Sequence, residues 1–172
     1  MSRSIVRASI LVAWGLVAGV ALFAIQGHER TLRHGELVLL RLAPVDPRSL
    51  MQGDYMALRF AVDAELASVS GETESPKQSR PSFAYFTLDE SRRAEFTGTG
   101  ESPRHAAGQI SMRIRILEGR ATVGPNAFFF QEGTGELFET AQWGGFRVAA
   151  DGMALLVSLH DEQLQRIGEQ KR

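Results

Sequence analysis

The apolar residues of this chain form one unbroken run near the N-terminus and a series of short alternating segments after it. The run, residues 8–25, reads ASILVAWGLVAGVALFAI and contains no charge. As an α-helix it would be about 27 Å long, close to the hydrocarbon thickness of a bilayer. The pattern predicts a tail at residues 1–7, a transmembrane helix at residues 8–25 and a juxtamembrane segment at residues 26–35.

The charges around this run predict its orientation. Arg3 and Arg7 precede it, and a short basic N-terminus normally stays in the cytoplasm while the following chain is translocated. A cleaved secretory signal is the alternative, because Gly19, Val20 and Ala21 form a small-x-small sequence, although it lies inside the run. Under both interpretations the remainder of the chain is exported.

Beyond residue 35, apolar and polar residues alternate over short segments, which is typical of half-buried β-strands. In Gln109–Leu117, the clearest case, Ile110, Met112, Ile114 and Ile116 fall on one face. Strands are predicted at Glu36–Leu42, Tyr55–Val62, Ser82–Asp89, Arg92–Phe96, Gln109–Leu117, Phe128–Gln131, Phe146–Val148 and Met153–His160.

The segments between these strands predict turns, loops and two short helices. Hairpins are expected across Asp89-Glu90-Ser91 and across Ala150-Asp151-Gly152, since Asp-Gly is a favoured hairpin turn. The polar stretches Ser68–Arg80 and Thr97–Gly108 indicate loops. A short helix is predicted at Glu136–Gln142, ended by Gly144-Gly145. A C-terminal helix is predicted at Asp161–Ile167, with Leu164 and Ile167 packing back.

The predicted fold class is therefore mainly β, or α+β. It consists of the N-terminal transmembrane helix and one antiparallel β-rich domain at residues 36–172, with one or two short helices. The sheet either curls into a barrel-like form or folds as a sandwich, and the sequence does not separate these alternatives. About 145 exported residues are enough for one core, so no second domain is expected.

Composition and charge limit the kinds of site and reaction that this chain can support. Cysteine is absent, which excludes disulfides, thiolate metal sites and a thiol nucleophile. The net charge is −1, and the arginines are scattered among carboxylates, so no nucleic-acid surface is expected. Phosphate-binding GxxxxGK[ST], GxSxG and HExxH sequences are missing. We therefore predict no catalytic residues, no metal site and no cofactor, with solvated side chains at His28, His34, His105 and His160.

The stretch Pro44–Phe60, PVDPRSLMQGDYMALRF, combines a turn, a flexible step and an alternating strand. Asp46 followed by Pro47 is typical of a turn or a helix start, and Gly53 permits backbone angles that other residues resist. After Gly53 the alternation places Leu58 and Phe60 on the core face of the strand and Tyr55 on the other face.

This stretch resembles the bacterial family named for its GDYXXLXY motif. Gly53, Asp54, Tyr55 and Leu58 match the named positions, while Phe60 stands where the motif has its final Tyr. Further likeness covers Asp46, Pro47 and Arg48 and the block from Phe128 to Leu159. The resemblance implies a membrane-anchored protein with no established activity. It also implies a bacterial source and a multi-pass membrane or envelope protein as partner. Together with the single apolar run and its flanking charges, this predicts a single-pass location in the bacterial inner membrane with a periplasmic domain.

Arg48, Asp54, Tyr55 and Glu132 are the candidate binding residues. In the structural interpretation, Asp46 caps a turn, Asp54 accepts backbone N–H groups, and Arg48 pairs with a carboxylate such as Glu132. In the functional interpretation the four line a polar pocket or a partner-facing edge. Phe128-Phe129-Phe130 is expected to be buried on both faces, and Trp143 to anchor a loop.

The leading hypothesis is a non-enzymatic binding or accessory module for another envelope protein, in contact with the bilayer through residues 8–25. The alternative is a small-ligand binder or a hydrolytic enzyme that uses carboxylates near the motif.

Overall fold

The computed structural model describes residues 3–43, 51–52, 55–71, 82–104, 106, 108–117, 119–130 and 134–169. It begins with a 32-residue helix, α1 (Arg3–His34), and a second helix, α2 (Val62–Gly71), follows the third strand. The strands are β1 (Glu36–Arg41), β2 (Met51–Gln52), β3 (Tyr55–Ala57), β4 (Phe83–Leu88), β5 (Ala94–Gly100), β6 (Gln109–Arg113), β7 (Arg115–Leu117), β8 (Arg120–Thr122), β9 (Ala127–Phe129), β10 (Trp143–Val148), β11 (Ala154–His160) and β12 (Arg166–Glu169). A 3₁₀ turn, Gly135–Phe138, precedes β10.

The fold is mainly β, as predicted, and its strands pair in antiparallel fashion. They form a four-stranded sheet in the order β1-β10-β11-β12, two three-stranded sheets (β2-β3-β9 and β5-β4-β6) and the β7-β8 ribbon. Among the described strands no sheet closes on itself into a barrel. The predicted hairpins β4–β5 and β10–β11 are both confirmed.

One hydrophobic core joins the sheets. Four of its largest fully buried side chains are Phe60, Phe86, Phe128 and Phe146, each at most 1 % exposed. Phe60 meets Phe146 edge-on, with ring centroids 5.3 Å apart. Such pairs stabilise a core by about 0.5–1.5 kcal/mol beyond the apolar area that they bury. The core therefore connects the strand pairs β3–β9, β4–β5 and β10–β11.

The apolar part of α1 lies outside this core. Leu11, Trp14 and Phe23 are 73 %, 73 % and 81 % exposed, and residues 10–34 form one helix long and apolar enough to cross a membrane. Length and composition fit either a membrane anchor or a signal sequence. The helix continues without interruption through the predicted juxtamembrane segment to His34.

The C-terminal end of α1 packs on the β-rich domain. Thr31 is only 4 % exposed, and its hydroxyl lies 3.9 Å from the sulfur of Met153. Gly35 closes the last helical turn by donating its N–H to the Thr31 carbonyl at 2.8 Å. The Gly35 carbonyl in turn accepts a hydrogen bond from Arg147 at 3.0 Å. The helix therefore joins the domain through polar contacts at the β10–β11 hairpin.

The predicted strand Tyr55–Val62 is wrong in its second half. The strand ends at Ala57, and α2 begins at Val62. Asp63 in the first turn of α2 accepts the Phe60 N–H at 2.9 Å, and Glu65 adds a second carboxylate there. Acidic residues in this position favour a helix start. The predicted loop at Ser68–Arg80 is likewise helical as far as Gly71, and residues 72–80 lie outside the described residues.

The predicted strand Gln109–Leu117 is two strands, because the backbone at Arg113 and Ile114 bonds elsewhere. Arg113 donates its N–H to Gly152 at 2.9 Å, and Ile114 donates to Ser82 at 2.9 Å. Beyond this break the predicted face is lost, and Ile116 is 58 % exposed. Strand β5 extends to Gly100, into a predicted loop, because it stays paired with β4.

The predictions for the last third of the chain were wrong at two helices. The predicted helix Glu136–Gln142 is the single 3₁₀ turn Gly135–Phe138, and Gly144-Gly145 lie within β10 instead of ending a helix. The predicted C-terminal helix is a turn followed by β12, which pairs with β11. The packing of Ile167 against the core is confirmed.

Candidate interaction face

Strand β3 carries Tyr55, Met56 and Ala57 of the GDYMALRF segment, and it pairs with β9. The register places Tyr55 opposite Phe129, Met56 opposite Phe128, and Ala57 opposite Ala127. Because side chains alternate across a strand, Met56 and Phe128 point to one face and the other four residues to the opposite face. Met56 is 4 % exposed and Phe128 is completely buried, so the first face is the core face.

The opposite face presents two aromatic rings to solvent. Tyr55 is 36 % exposed and Phe129 is 60 % exposed. Their ring centroids lie 5.9 Å apart at an interplanar angle of 46°. Ala57 and Ala127, the pair beside them, are half-buried and carry only methyl side chains. We call Tyr55, Ala57, Ala127 and Phe129 the aromatic face.

The predicted facing of the motif residues is confirmed where the structure describes it. Leu58 is 5 % exposed and Phe60 is 1 % exposed, both in the core, while Tyr55 lies on the outer face. The remaining predicted site residues lie outside the described residues, and so do Gln131 and His105. These site residues are Asp46, Pro47, Arg48, Gly53, Asp54 and Glu132. Of the four candidate binding residues, Tyr55 is therefore the one whose position is described.

The Phe60 ring lies against two glycines, Gly124 and Gly144. A Cβ added at Gly124 would overlap the Phe60 ring, and one added at Gly144 would lie 3.1 Å from it. The Phe60 N–H is bonded to Asp63, at the start of α2. The last motif position therefore contacts the start of α2 through its backbone, and Gly124 and Gly144 through its ring.

Sequence reasoning missed the exposure of Phe129. The Phe128–Phe130 run was predicted to be buried on both faces, but only Phe128 is completely buried, and Phe130 stacks on Phe138 at 5.1 Å. Strict alternation within β9 was the available signal, because it places Phe129 on the face opposite Phe128. Trp143, predicted in a loop, lies in β10 with the Arg41 guanidinium 5.9 Å above its ring.

His160 is a second correction. His28 and His34 are exposed, as predicted, but His160 is only 9 % exposed. Its Nε2 lies 2.9 Å from the Ser158 hydroxyl, and its Nδ1 lies 3.0 Å from the Leu164 carbonyl. Because the carbonyl only accepts, Nδ1 carries a hydrogen in this contact. Ser158 is 4 % exposed, so the pair lies inside the sheet.

Within the described part of the chain, no group of three or more His, Asp or Glu residues is arranged to hold a metal ion.

Taken together, these features define a class of protein: a single antiparallel β-rich domain carried by an apolar N-terminal helix. A family model described as GDYXXLXY protein matches residues 17–159, which is most of the chain, including the second half of the helix and eleven strands. The chain belongs to the GDYXXLXY family. Neither a curated protein nor a solved structure matches it.

Proposed function

We propose that this protein is a membrane-anchored accessory module that binds another membrane or envelope protein on the periplasmic side of the bacterial inner membrane. Helix α1 holds the domain at the bilayer as a single-pass anchor with its N-terminus in the cytoplasm. The aromatic face is the docking surface, and the contribution of the chain is binding without catalysis.

The exposure of Tyr55 and Phe129 beside the family motif carries this proposal. Burial of apolar surface contributes about 25 cal/mol per Å², so covering the two exposed rings with a partner surface makes a large favourable contribution to the free energy of binding. Tyr and Phe are enriched at the centres of protein interfaces, and Tyr contributes strongly to binding energy. The alanine pair beside the rings, with only methyl side chains, lets a partner surface approach closely.

The contacts at the end of α1 also support the proposal. The last turn contains an ion pair between Arg33 and Glu29 at 3.0 Å, and Thr31 packs against the β10–β11 hairpin. A helix that enters the domain directly, without a flexible linker, holds the domain close to the bilayer. A partner embedded in the same bilayer is then encountered at a high effective concentration.

Co-purification from native membranes with a C-terminal tag tests the proposal. We expect the native chain to retain a defined integral membrane protein, and Tyr55→Ser combined with Phe129→Ser to lose it. Ile116→Ser is the matched control, since Ile116 is also a strand residue and is 58 % exposed, against 60 % for Phe129.

Two results would contradict this function. One is a native chain that is recovered alone from membranes. The other is undiminished capture by the double variant, provided that its unfolding by urea matches that of the native chain. The alternative function, a ligand binder or hydrolase at Asp54 and Glu132, predicts instead that Asp54→Asn and Glu132→Gln abolish an activity while partner capture persists.

A further inference from the structure

A cleft of about 430 Å³ opens between two strand edges in the part of the chain that the structure describes. Strands β1 and β5 meet at one parallel bridge between Leu39 and Arg93, where the Leu39 N–H donates to the Arg92 carbonyl at 2.8 Å. The residues that follow this bridge in each strand, Leu40–Arg41 and Ala94–Phe96, line the cleft together with the start of α2. A volume of this size is within the range of about 300–1,000 Å³ found for small-molecule sites.

The outer edge of β5 faces this region with its backbone. β5 is the last strand of the sheet β5-β4-β6, and among the described residues its outer edge meets β1 at the bridge between Leu39 and Arg93. An edge strand presents N–H and C=O groups that an extended peptide can pair with. The main chain of an extended ligand can therefore form hydrogen bonds with this edge of the cleft.

The charged side chains in the cleft fall into two groups, those paired with each other and those without an ion-pair partner in the described chain. Arg93 and Asp89 neutralise each other, with the Arg93 Nε 2.6 Å from the carboxylate. The backbone N–H of Arg93 also lowers the pKa of the Asp89 carboxyl, so this residue is a carboxylate at neutral pH. Arg41, Glu65 and Glu95 are different, because none of them takes part in an ion pair within the described chain. One positive and two negative side chains are left to meet a ligand.

The remaining wall is apolar. Leu88 and Phe96 are half-buried, and Trp143 is half-buried beneath Arg41. Phe96 packs edge-on against the buried Phe86 at 5.9 Å, which holds its ring in place. The cleft thus combines an apolar wall, a strand edge, one cation and two carboxylates.

We infer that this cleft binds a short, unblocked peptide in an extended conformation. The peptide backbone pairs with the outer edge of β5, its terminal carboxylate meets Arg41, and its terminal ammonium group meets Glu95. A peptide with both ends free carries the two opposite charges that the cleft leaves unpaired, and apolar side chains suit Phe96 and Trp143. This inference goes beyond the proposed partner binding and does not depend on it.

Fluorescence of Trp143 tests the inference in the full chain held in detergent. The sequence contains two tryptophans, so Trp14→Phe leaves Trp143, in the cleft wall, as the single reporter. The probes are trileucine and the same tripeptide with an acetylated N-terminus and an amidated C-terminus. We expect saturable changes in emission with trileucine, matched by calorimetry, and at least about tenfold weaker binding of the blocked peptide, which lacks both charges.

Substitutions assign the two ends of the peptide. Arg41→Gln and Glu95→Gln should each weaken trileucine binding about tenfold, because each removes one charge-assisted contact. Arg120→Gln and Glu101→Gln are the matched controls outside the cleft and should leave the affinity unchanged. Arg41, Glu95 and both control positions are exposed, so the fold should be retained in each variant.

Three results would overturn the inference. They are no saturable response at millimolar trileucine, equal binding of the blocked peptide, and full affinity in both Arg41→Gln and Glu95→Gln. Capture of a membrane partner through Tyr55 and Phe129 is measured separately, so failure of peptide binding leaves the proposed function standing, and the reverse also holds.

Discussion

At the scale of single residues, Phe60 shows how one ring connects distant segments. It is 1 % exposed, meets Phe146 edge-on, and fills the space beside Gly124 and Gly144. Phe60 lies in the core. A Tyr at this position would bury the same ring, but its hydroxyl would also need space in the core. The core therefore depends on the ring, which Phe and Tyr share.

We expect Phe60→Ala to destabilise the protein by about 3–5 kcal/mol, because it removes a buried ring and leaves a cavity between β3 and β10. Urea unfolding of the full chain in detergent measures this change. Leu137→Ala is the control, since Leu137 is 60 % exposed and such surface changes stay within about 0.5 kcal/mol. A loss for Phe60→Ala no larger than that of the control would contradict the assignment of Phe60 to the core.

At the scale of elements, the β10–β11 pair depends on one glycine and one bulge. Gly145 lies opposite Ser158, and a Cβ at Gly145 would overlap the Ser158 hydroxyl and lie 3.0 Å from the His160 Nε2. Between Gly145 and Phe146 the register shifts, so Val157 has no partner. This bulge places Leu156 and Leu159 in the core, and Ser158 and His160 on the other face.

Gly145→Ala should destabilise the domain by about 1–3 kcal/mol, because the added Cβ forces Ser158 and His160 to move. In Gly145→Ala combined with Ser158→Gly the clash with the hydroxyl is gone. The double variant should therefore lose less than the sum of the two single changes, by about 0.5–3 kcal/mol. Denaturant midpoints of the four proteins measure this coupling.

Gly27→Ala is the control for this series, because nothing lies within 4 Å of a Cβ at Gly27. It should leave the domain at native stability. Strictly additive effects of Gly145→Ala and Ser158→Gly would show that the close approach of β10 and β11 at this point is not what requires glycine.

The end of the chain is the element whose prediction failed most clearly. A helix was expected at Asp161–Ile167, but Asp161 accepts the Gln165 N–H at 2.8 Å and Leu164 adopts a φ of 62°. These contacts form a tight turn, and the Leu164 carbonyl meets His160. β12 then pairs with β11. The hydrogen bonds available at the edge of β11 therefore outweigh the local helix preference of this segment.

At the scale of the whole molecule, α1 is longer than a bilayer requires. Its 32 residues correspond to about 48 Å, against a hydrocarbon thickness of about 30 Å. The exposed apolar residues lie in its first two thirds, and the charged last turns carry the contacts with β10 and β11. An anchor whose apolar part is followed directly by turns that pack on the domain would place the domain immediately next to the membrane surface.

We expect alkaline phosphatase fused after Arg172 to be active and β-galactosidase at the same position to be inactive, because a short basic N-terminus, here with Arg3 and Arg7, normally stays in the cytoplasm. The intact product should fractionate with membranes. Deletion of residues 8–25 is the control and should leave alkaline phosphatase inactive. Activity of β-galactosidase in the full-length fusion, or an intact product that is wholly soluble, would contradict the proposed topology.

The candidate site was predictable in part. Alternation after Gly53 correctly places Tyr55 on the outer face, and it also places Leu58 and Phe60 in the core, although the strand itself ends at Ala57. The partnership of Tyr55 with Phe129 was not predictable, since it depends on the register between β3 and β9, which are about 70 residues apart in the chain. The cleft between β1 and β5 likewise depends on how two sheets meet.

Hydrophobic period and turn residues act over a few neighbouring positions, so the sequence alone predicts α1, β1 and the hairpins β4–β5 and β10–β11. The break at Ile114 and the strand β12 are different, because they depend on partners that only the assembled fold supplies. These partners are Gly152 and Ser82 for the break and the edge of β11 for β12. A local sequence pattern does not show which residues these partners are, because they come together only when the sheets assemble.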